Sequence, residues 1–259
     1  MVKIAVTGKG GVGKTTFASL LCYSFRDAGF RVVAVDADPD ANLAATLGFP
    51  NPEDITPISE MKELIAERTG TQPGAMGMYF KMNPRVDDIP ERFGTTHAGI
   101  RLLVMGAKKQ TRTGCYCPES AFVRELIGHL LLEEGEVVIM DMEAGIEHIG
   151  RGTAGDVDAF IIVVEPGKRS IETAERLKRM AKDLGIKRSF IVINRAQGEN
   201  DRAFVERYVN PADIIGVIPF SQSILESDRG DRGVQIEEMS LIDTIREKIM
   251  KGVLYERRE

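Results

Sequence analysis

The chain has 259 residues, of which 43% are hydrophobic and 28% charged, a composition that supports a folded core and excludes a disordered chain. The formal net charge of -5 predicts no binding to nucleic acid, because contacts with phosphate groups need a basic face. No apolar run approaches the ~20 residues that span a bilayer, and no export signal follows Met1. We therefore expect a cytoplasmic protein that makes no use of a membrane.

Apolar runs alternate along the chain with longer segments of helical periodicity, as is typical of a parallel sheet. We predict an α/β fold with a mostly parallel sheet covered by helices on both faces. Strands are predicted at 2–7, 31–36, 101–105, 137–141, 160–165, 190–194 and 214–218. Because ligands bind beyond the carboxyl ends of such strands, Thr7, Asp36, Asp141 and Asn194 should line one crevice.

Residues 49–99 are the least regular part of the chain, because several prolines interrupt them; a short helix is predicted at 59–68. They show too little apolar periodicity for a separate core, and no flexible linker flanks them. We predict a single domain over residues 1–259, with an irregular insertion at about 49–99.

Residues 8–15 read Gly-Lys-Gly-Gly-Val-Gly-Lys-Thr and match the phosphate-binding pattern G-x-x-x-x-G-K-[ST] between a predicted strand and a helix predicted at 16–27. The glycines let backbone N–H groups face phosphate oxygens, and the helix N-terminus adds positive charge. Lys14 is expected to contact the β- and γ-phosphates of ATP, and the Thr15 hydroxyl to bind Mg²⁺. The predicted nucleotide-binding residues here are Gly8, Lys9, Gly10, Gly11, Val12, Gly13, Lys14, Thr15 and Thr16, with Thr16 donating to the α-phosphate.

The run Val137–Asp141 is an apolar strand that ends in an acid, which is typical of a Walker B strand. Asp141 is expected to hold the water shell of Mg²⁺. Residues 142–147 are interpreted as a switch segment, in which Gly145 gives a flexible point near the γ-phosphate.

The second lysine of the loop, Lys9, makes residues 9–16 resemble the deviant Walker A signature of the partitioning ATPases, the MinD-like septum-site proteins and the nitrogenase iron protein. This resemblance implies an ATP-dependent homodimer in which Lys9 reaches the partner subunit's nucleotide and stabilises charge on its phosphates. Without the resemblance, Lys9 would be interpreted as a solvated lysine.

Residues 36–42, Asp-Ala-Asp-Pro-Asp-Ala-Asn, resemble the switch I segment of the same family. The resemblance implies that Asp38 orients the attacking water, that Asp36 lies near Mg²⁺ through a water, and that Asn42 contacts the metal shell or the partner. The alternative is an acidic turn that caps the next helix. Catalysis is thus assigned to Lys9, Lys14 and Asp38.

Two later strand ends resemble the family's adenine site. They supply Asn194 with Arg195, and Pro219 with Phe220. Asn194 is expected to hydrogen-bond the base, although an Asn at a strand end is equally typical of a simple turn.

Cys115 and Cys117 precede a helix predicted at 119–133, with Pro118 suited to its first position. The helix dipole favours a thiolate at Cys117, whereas a disulfide across so short a loop would be strained. Two thiolates are half of a four-sulfur site, and a two-fold axis in a homodimer would complete it around Ni²⁺ or Zn²⁺. The alternative, two small apolar turn residues, is left open for this pair, and for Cys22 in the first helix it is the interpretation adopted. His97, His129 and His148 show no ligand spacing.

Taken together, the motifs resemble the carbon monoxide dehydrogenase nickel-insertion ATPases, the CooC-type accessory proteins, over nearly the whole chain. The segments that carry the likeness beyond the nucleotide motifs are 58–61, 80–84, 115–119 and 141–148. The resemblance implies that ATP closes the dimer around Ni²⁺ and that hydrolysis passes nickel to carbon monoxide dehydrogenase.

Three other functions are consistent with these motifs. They are a maturation ATPase for acetyl-CoA synthase, a MinD/ParA-like positioning ATPase with structural cysteines, and a dimer that holds an iron–sulfur cluster. The apolar stripe Leu241, Ile242, Ile245, Ile249 and Val253 predicts a packed final helix, with a membrane-surface helix as the alternative because basic residues lie beside it.

Overall fold

The computed structural model describes residues 2–72, 79–106, 118–132, 136–143, 157–227 and 239–256. Its strands are β1 Val2–Gly8, β2 Val32–Asp36, β3 Thr95–His97, β4 Ile100–Val104, β5 Val137–Asp141, β6 Ala159–Val164, β7 Ser189–Ala196 and β8 Ile214–Pro219. Its α-helices are α1 Lys14–Asp27, α2 Leu43–Thr46, α3 Lys62–Thr69, α4 Ile89–Phe93, α5 Pro118–Leu132, α6 Lys168–Asp183, α7 Glu199–Glu206, α8 Gln222–Ser227 and α9 Met239–Glu256. Short 3₁₀ turns lie at Pro52–Asp54, Ile58–Glu60 and Pro211–Asp213.

The described strands form one sheet in the order β3-β4-β2-β5-β1-β6-β7-β8. Every neighbouring pair is parallel except β3 and β4. The chain runs from β1 outward to β2 on one side, and from β6 through β7 to β8 on the other. The order thus reverses at β1, and a ligand crevice is expected beyond its carboxyl end.

The core lies on both faces of this sheet. Side chains alternate along β1, so that Ala5 packs with α5 and α6, whereas Ile4 and Val6 pack with α1 and α9. Strands β1, β2, β5 and β6 are buried along their whole length, which explains why they are nearly continuous apolar runs. The predicted α/β fold with helices on both faces is confirmed.

The predicted strands all appear, each within one or two residues of its expected bounds, and sequence analysis missed only β3 among the described strands. This strand has three polar residues and forms an antiparallel hairpin with β4. The turn between them, Ala98 and Gly99, has φ of 47° and 78°. Such a left-handed pair suits a tight hairpin, but three polar residues give no apolar alternation from which a strand can be predicted.

The insertion at 49–99 is more regular than expected in its described part, since it contains α3, α4 and β3. The helix predicted at 59–68 is split at Met61 into a 3₁₀ turn and α3, which ends at the left-handed Gly70. Helix α3 packs against α5, and Ile58, Ile65 and Ile89 are buried in the same core cluster as α5. The insertion therefore shares the core of the sheet.

The apolar stripe of α9 packs between α1 and β8, where Leu241 is partly buried and the other four residues are buried. Ile242, Ile245 and Ile249 are fully inaccessible to solvent, and Val253 is 4% exposed. This burial supports the packed-helix interpretation over the membrane-surface one. Within the described ranges, no helix has the length and hydropathy that a membrane span requires.

Candidate nucleotide and magnesium site

The phosphate-binding loop connects β1 to α1 at the point where the strand order reverses. Gly13, the residue before α1, has a φ of 87°, and a Cβ atom there would lie 2.4 Å from Nδ2 of Asn194. A Cβ atom on Gly8 would lie 2.4 Å from the carbonyl oxygen of Val163. Gly8 also has a positive φ, of 156°, so both positions need glycine for their backbone angle and for close packing.

Two buried carboxyl groups lie beside this loop, Asp36 at the end of β2 and Asp141 at the end of β5. The carboxyl group of Asp36 accepts hydrogen bonds from the amides of Leu43 at 2.9 Å and Asp38 at 3.2 Å. Neither carboxyl oxygen of Asp141 accepts a hydrogen bond within the described part of the chain.

Burial raises the pKa of Asp36 to about 6 and the pKa of Asp141 to about 7. The Thr15 hydroxyl lies near enough to Asp141 to oppose this rise, while the charge of Asp36 adds to it. Two adjoining carboxyl groups next to a threonine hydroxyl match the hard oxygen ligands that Mg²⁺ prefers, and the oxygens of Asp141 are the ones that no backbone amide occupies. The predicted magnesium residues Thr15, Asp36 and Asp141 thus lie together and fit the ion.

Lys14 is only 7% exposed, and its Nζ lies 3.9 Å from Oδ2 of Asp38. The other oxygen of Asp38 accepts the amide of Asp40 at 3.0 Å. The predicted catalytic residues Lys14 and Asp38 therefore face each other at the mouth of the loop. Lys9, in contrast, is exposed and belongs to the outer edge of the loop together with Gly10 and Gly11.

The end of β2 also caps a helix. Leu43 is the first residue of α2, and its amide donates a hydrogen bond to the carboxyl group of Asp36. Asn42 is exposed, and its amide donates to the carbonyl oxygen of Asp40 at 2.6 Å. Asp36 thus caps α2, as the alternative interpretation of this segment expects, and also lies beside the predicted magnesium residue Asp141.

A cavity of about 230 Å³ opens beside the phosphate loop. Its walls include all four residues predicted for the adenine site, Asn194, Arg195, Pro219 and Phe220. They also include Gly13 and Thr16, which were predicted to bind the phosphates, and Ser221 and Ile224, which sequence analysis missed. The exposed ring of Phe220 offers an aromatic face at the rim. Ser221 and Ile224 were missed because they follow the strand end and carry no motif.

Asn194 and Arg195 also bind the phosphate loop itself. Asn194 Nδ2 donates to the carbonyl oxygen of Val12 at 2.8 Å, and Arg195 Nη1 donates to that of Gly11 at 2.9 Å. The same Arg195 nitrogen lies 2.7 Å from Oε1 of Glu165. Sequence analysis missed Glu165, although the rule that ligands gather beyond strand ends points to it, since it follows β6 directly.

The Thr7 hydroxyl donates to the carbonyl oxygen of Glu143 at 2.8 Å, which fixes the start of the predicted switch segment, residues 142–147, to β1. Gly145 of that segment, and both Cys115 and Cys117, lie outside the described residues. Burial raises the pKa of the Cys22 thiol, in keeping with its structural role in α1. Over the described ranges, no cluster of three or more His, Cys, Asp or Glu side chains is arranged to hold a metal ion.

A family model, the CobQ/CobB/MinD/ParA nucleotide binding domain, matches residues 3–234. The chain belongs to this family. With its loop, lysines and carboxylates, the chain is therefore an ATP-binding protein and an ATPase of the family. It is 48% identical over 230 residues to the carbon monoxide dehydrogenase accessory protein CooC of Rhodospirillum rubrum, covering 88% of this chain and 87% of that one.

A second relative is an uncharacterized ATP-binding protein of Methanocaldococcus jannaschii, 44% identical over 88% of both chains. Solved structures of the family share the fold. The MinD cell division protein of Aquifex aeolicus superposes with a TM-score of 0.68 at 21% identity, over 97% of this chain and 98% of that chain. MinD of Pyrococcus horikoshii, complexed with Mg-ADP, gives 0.68 at 18% identity over 97% of both chains.

Proposed function

We propose that this chain is an ATP-dependent metallochaperone that inserts nickel into carbon monoxide dehydrogenase during maturation of that enzyme. The observation that carries the proposal is the 48% identity over 230 residues to a carbon monoxide dehydrogenase accessory protein. The Cys-x-Cys pair at 115 and 117 supplies the soft ligands that such a cargo needs. Cytoplasmic location fits a protein that keeps these thiols reduced.

ATP is bound by residues 8–16, with Lys14 at the β- and γ-phosphates. Thr15, Asp36 and Asp141 would hold Mg²⁺, which when bound neutralises charge on the phosphates. Asp38 orients the attacking water, which its position opposite Lys14 supports. Lys9 acts on the partner subunit's nucleotide in a homodimer, and its exposure at the outer edge of the loop supports this role.

The cysteine pair acts as the cargo site, with four sulfur atoms from two subunits around one Ni²⁺ or Zn²⁺ ion. The described ends of the segment that carries the pair support a link to the nucleotide site. On one side the amide of Met105 donates to the carbonyl oxygen of Asp36 at 2.8 Å. On the other side α5 leads into β5, which ends at Asp141. The segment that carries the cysteines thus follows a residue bonded to the Asp36 backbone and precedes the helix and strand that lead to Asp141.

The test is an anaerobic titration with nickel and zinc, with the molecular mass measured without nucleotide, with ADP and with a non-hydrolysable ATP analogue. Wild type is expected to bind one ion per dimer, and a Cys115→Ala, Cys117→Ala double variant none. A Cys22→Ala variant, which changes the third cysteine, controls for loss of any thiol and should bind like wild type.

Two outcomes redirect the proposal. If wild type and double variant dimerise alike with ATP and neither binds metal tightly, the cysteines are structural and a MinD/ParA-like positioning ATPase is the better account. If the metal-loaded dimer activates nickel-free acetyl-CoA synthase but leaves nickel-free carbon monoxide dehydrogenase inactive, acetyl-CoA synthase is the target.

A further inference from the structure

The direction of the loop amides follows from peptide geometry. In a planar trans peptide, the carbonyl of one residue and the N–H of the next point in opposite directions. A loop that holds phosphate through its N–H groups must therefore turn the matching carbonyls away from the ligand. For Val12 and Gly13, whose amides belong to the loop, the matching carbonyls are those of Gly11 and Val12.

These two carbonyls are held by two consecutive residues from a distant part of the chain. Arg195 Nη1 donates to the Gly11 carbonyl at 2.9 Å, and Asn194 Nδ2 donates to the Val12 carbonyl at 2.8 Å. Asn194 is only 7% exposed, so its hydrogen bond lies in the protein interior. The amide of Val12 also lies 3.4 Å from the carbonyl oxygen of Lys9, a long contact that phosphate can replace.

The backbone of β7 is bent where these two side chains leave it. The pairing of β7 with β8 shifts register between Ile193 and Ala196, and Arg195 has a φ of 56°. A left-handed arginine is unfavourable, and bends of this kind commonly re-aim a side chain at a functional site. Here the bend coincides with the two residues that bind the loop.

Glu165 fixes the orientation of the arginine. Its Oε1 lies 2.7 Å from Nη1 of Arg195, and the two side chains are 37% and 50% exposed. An ion pair in such a setting adds little to stability. Its effect is to hold the guanidinium where it meets the Gly11 carbonyl.

We propose that Asn194 and Arg195 are positioning residues that aim the amides of Val12 and Gly13 at the nucleotide phosphates, with Glu165 orienting Arg195. The proposal rests on ATP binding and is independent of metal delivery. The proposal predicts that these residues strengthen binding of the phosphates, whatever base the nucleotide carries. A base-reading role would instead act on adenine and leave a ligand without a base unaffected.

The experiment compares Arg195→Gln, Glu165→Gln and their double variant with wild type. Arg202→Gln is the matched control, because the Arg202–Glu206 pair on α7 has a 2.8 Å contact and exposures of 53% and 31%. Dissociation constants are measured for Mg·ATP, Mg·GTP and inorganic tripolyphosphate, by competition with a fluorescent ATP analogue.

Arg195→Gln is expected to raise the dissociation constants of all three ligands by the same factor. That factor is about fivefold, which corresponds to the loss of one ordinary hydrogen bond. Glu165→Gln should weaken them by about twofold, and the double variant should bind no more weakly than Arg195→Gln, because the two residues act through one contact. Arg202→Gln should bind like wild type.

Three results would overturn the proposal. One is an Arg195→Gln variant that loses no more affinity than Arg202→Gln. Another is a loss for ATP with none for tripolyphosphate, which would make Arg195 a base contact. The third is additive losses in the double variant, which would remove Glu165 from the scheme.

If circular dichroism shows that Arg195→Gln does not fold, Glu165→Gln carries the same expectation of equal losses for ATP and tripolyphosphate. Failure of wild type to bind ATP at all would instead contradict the nucleotide site, which separates the two hypotheses.

Discussion

Asp36 and Asp141 are register partners on the adjacent parallel strands β2 and β5, and both side chains are buried. The amide of Ala37 donates to the carbonyl oxygen of Asp141 at 2.9 Å, so the two strand ends are also joined through the backbone. The Asp36 oxygens are used by two amides, whereas those of Asp141 accept no hydrogen bond from any described residue. Burying this pair as two anions costs free energy that a bound cation would offset.

Asp141→Asn should therefore stabilise the protein in the absence of nucleotide and magnesium. Burial raises the pKa of Asp141 to about 7 in the folded state. Between about pH 4 and pH 7 the folded state therefore keeps a proton on this group, whereas the unfolded state has lost it. Stability of wild type should rise as pH falls from 8 to 5. At pH 8 the variant should be more stable by on the order of 2 kcal/mol, and this difference should shrink towards pH 5.

Urea unfolding at the two pH values measures the effect, with the exposed Asp40→Asn as control. The variant should at the same time lose about 100-fold or more of magnesium-dependent ATPase activity. Equal stability of wild type and variant at pH 8 would show that Asp141 carries no burial cost.

Lys9→Ala and Lys14→Ala should differ in which step they affect. Lys14 is buried in the loop of its own subunit, so its loss should weaken ATP binding and abolish hydrolysis. Lys9 is exposed, so its replacement should leave ATP binding by the monomer within about twofold and lower turnover by on the order of 10³-fold, as for an arginine finger.

Equilibrium ATP binding, turnover and sedimentation with a non-hydrolysable analogue separate the two. A Lys9→Ala protein that dimerises and hydrolyses ATP like wild type would contradict the role of Lys9 in the partner's site.

Asp38→Asn should lower the turnover number and leave the affinity for ATP nearly unchanged. Oδ2 of Asp38 lies 3.9 Å from Nζ of Lys14, the lysine that is expected to contact the β- and γ-phosphates. Loss of a water-orienting base costs on the order of 10² to 10⁴ in rate. Single-turnover hydrolysis and ATP titration provide the check, and a loss of affinity equal to the loss of rate would assign Asp38 to binding instead.

Ile249→Ala in α9 should destabilise the protein by about 2–5 kcal/mol, because the side chain is fully buried between α1 and β8. Lys251→Ala on the exposed side of the same helix should change stability by less than about 0.5 kcal/mol. Thermal unfolding compares the two. If α9 were a membrane-surface helix, Ile249→Ala would instead reduce vesicle binding and leave the unfolding temperature unchanged.

The central strands could be predicted from sequence because both faces of each are buried, so β1, β2, β5 and β6 are uninterrupted apolar runs. The same burial makes the polar residue at the end of a strand conspicuous, and this is why Asp36 and Asp141 were found. The short β3 and the split of the predicted helix at Met61 were not found. Both depend on local backbone angles, which hydrophobic periodicity does not report.

The sequence by itself determined the α/β fold and the residues of the phosphate loop, since glycine spacing and apolar runs are local signals. It also determined the family, because 48% identity extends over 230 residues. The sequence predicted that Asp36 and Asp141 share a crevice, but only the tertiary structure decided that they are register partners on adjacent strands and that Arg195 binds both Gly11 and Glu165. These contacts join residues that are distant in the chain, and they depend on strand order and on the bend in β7, neither of which leaves a periodic pattern in the sequence.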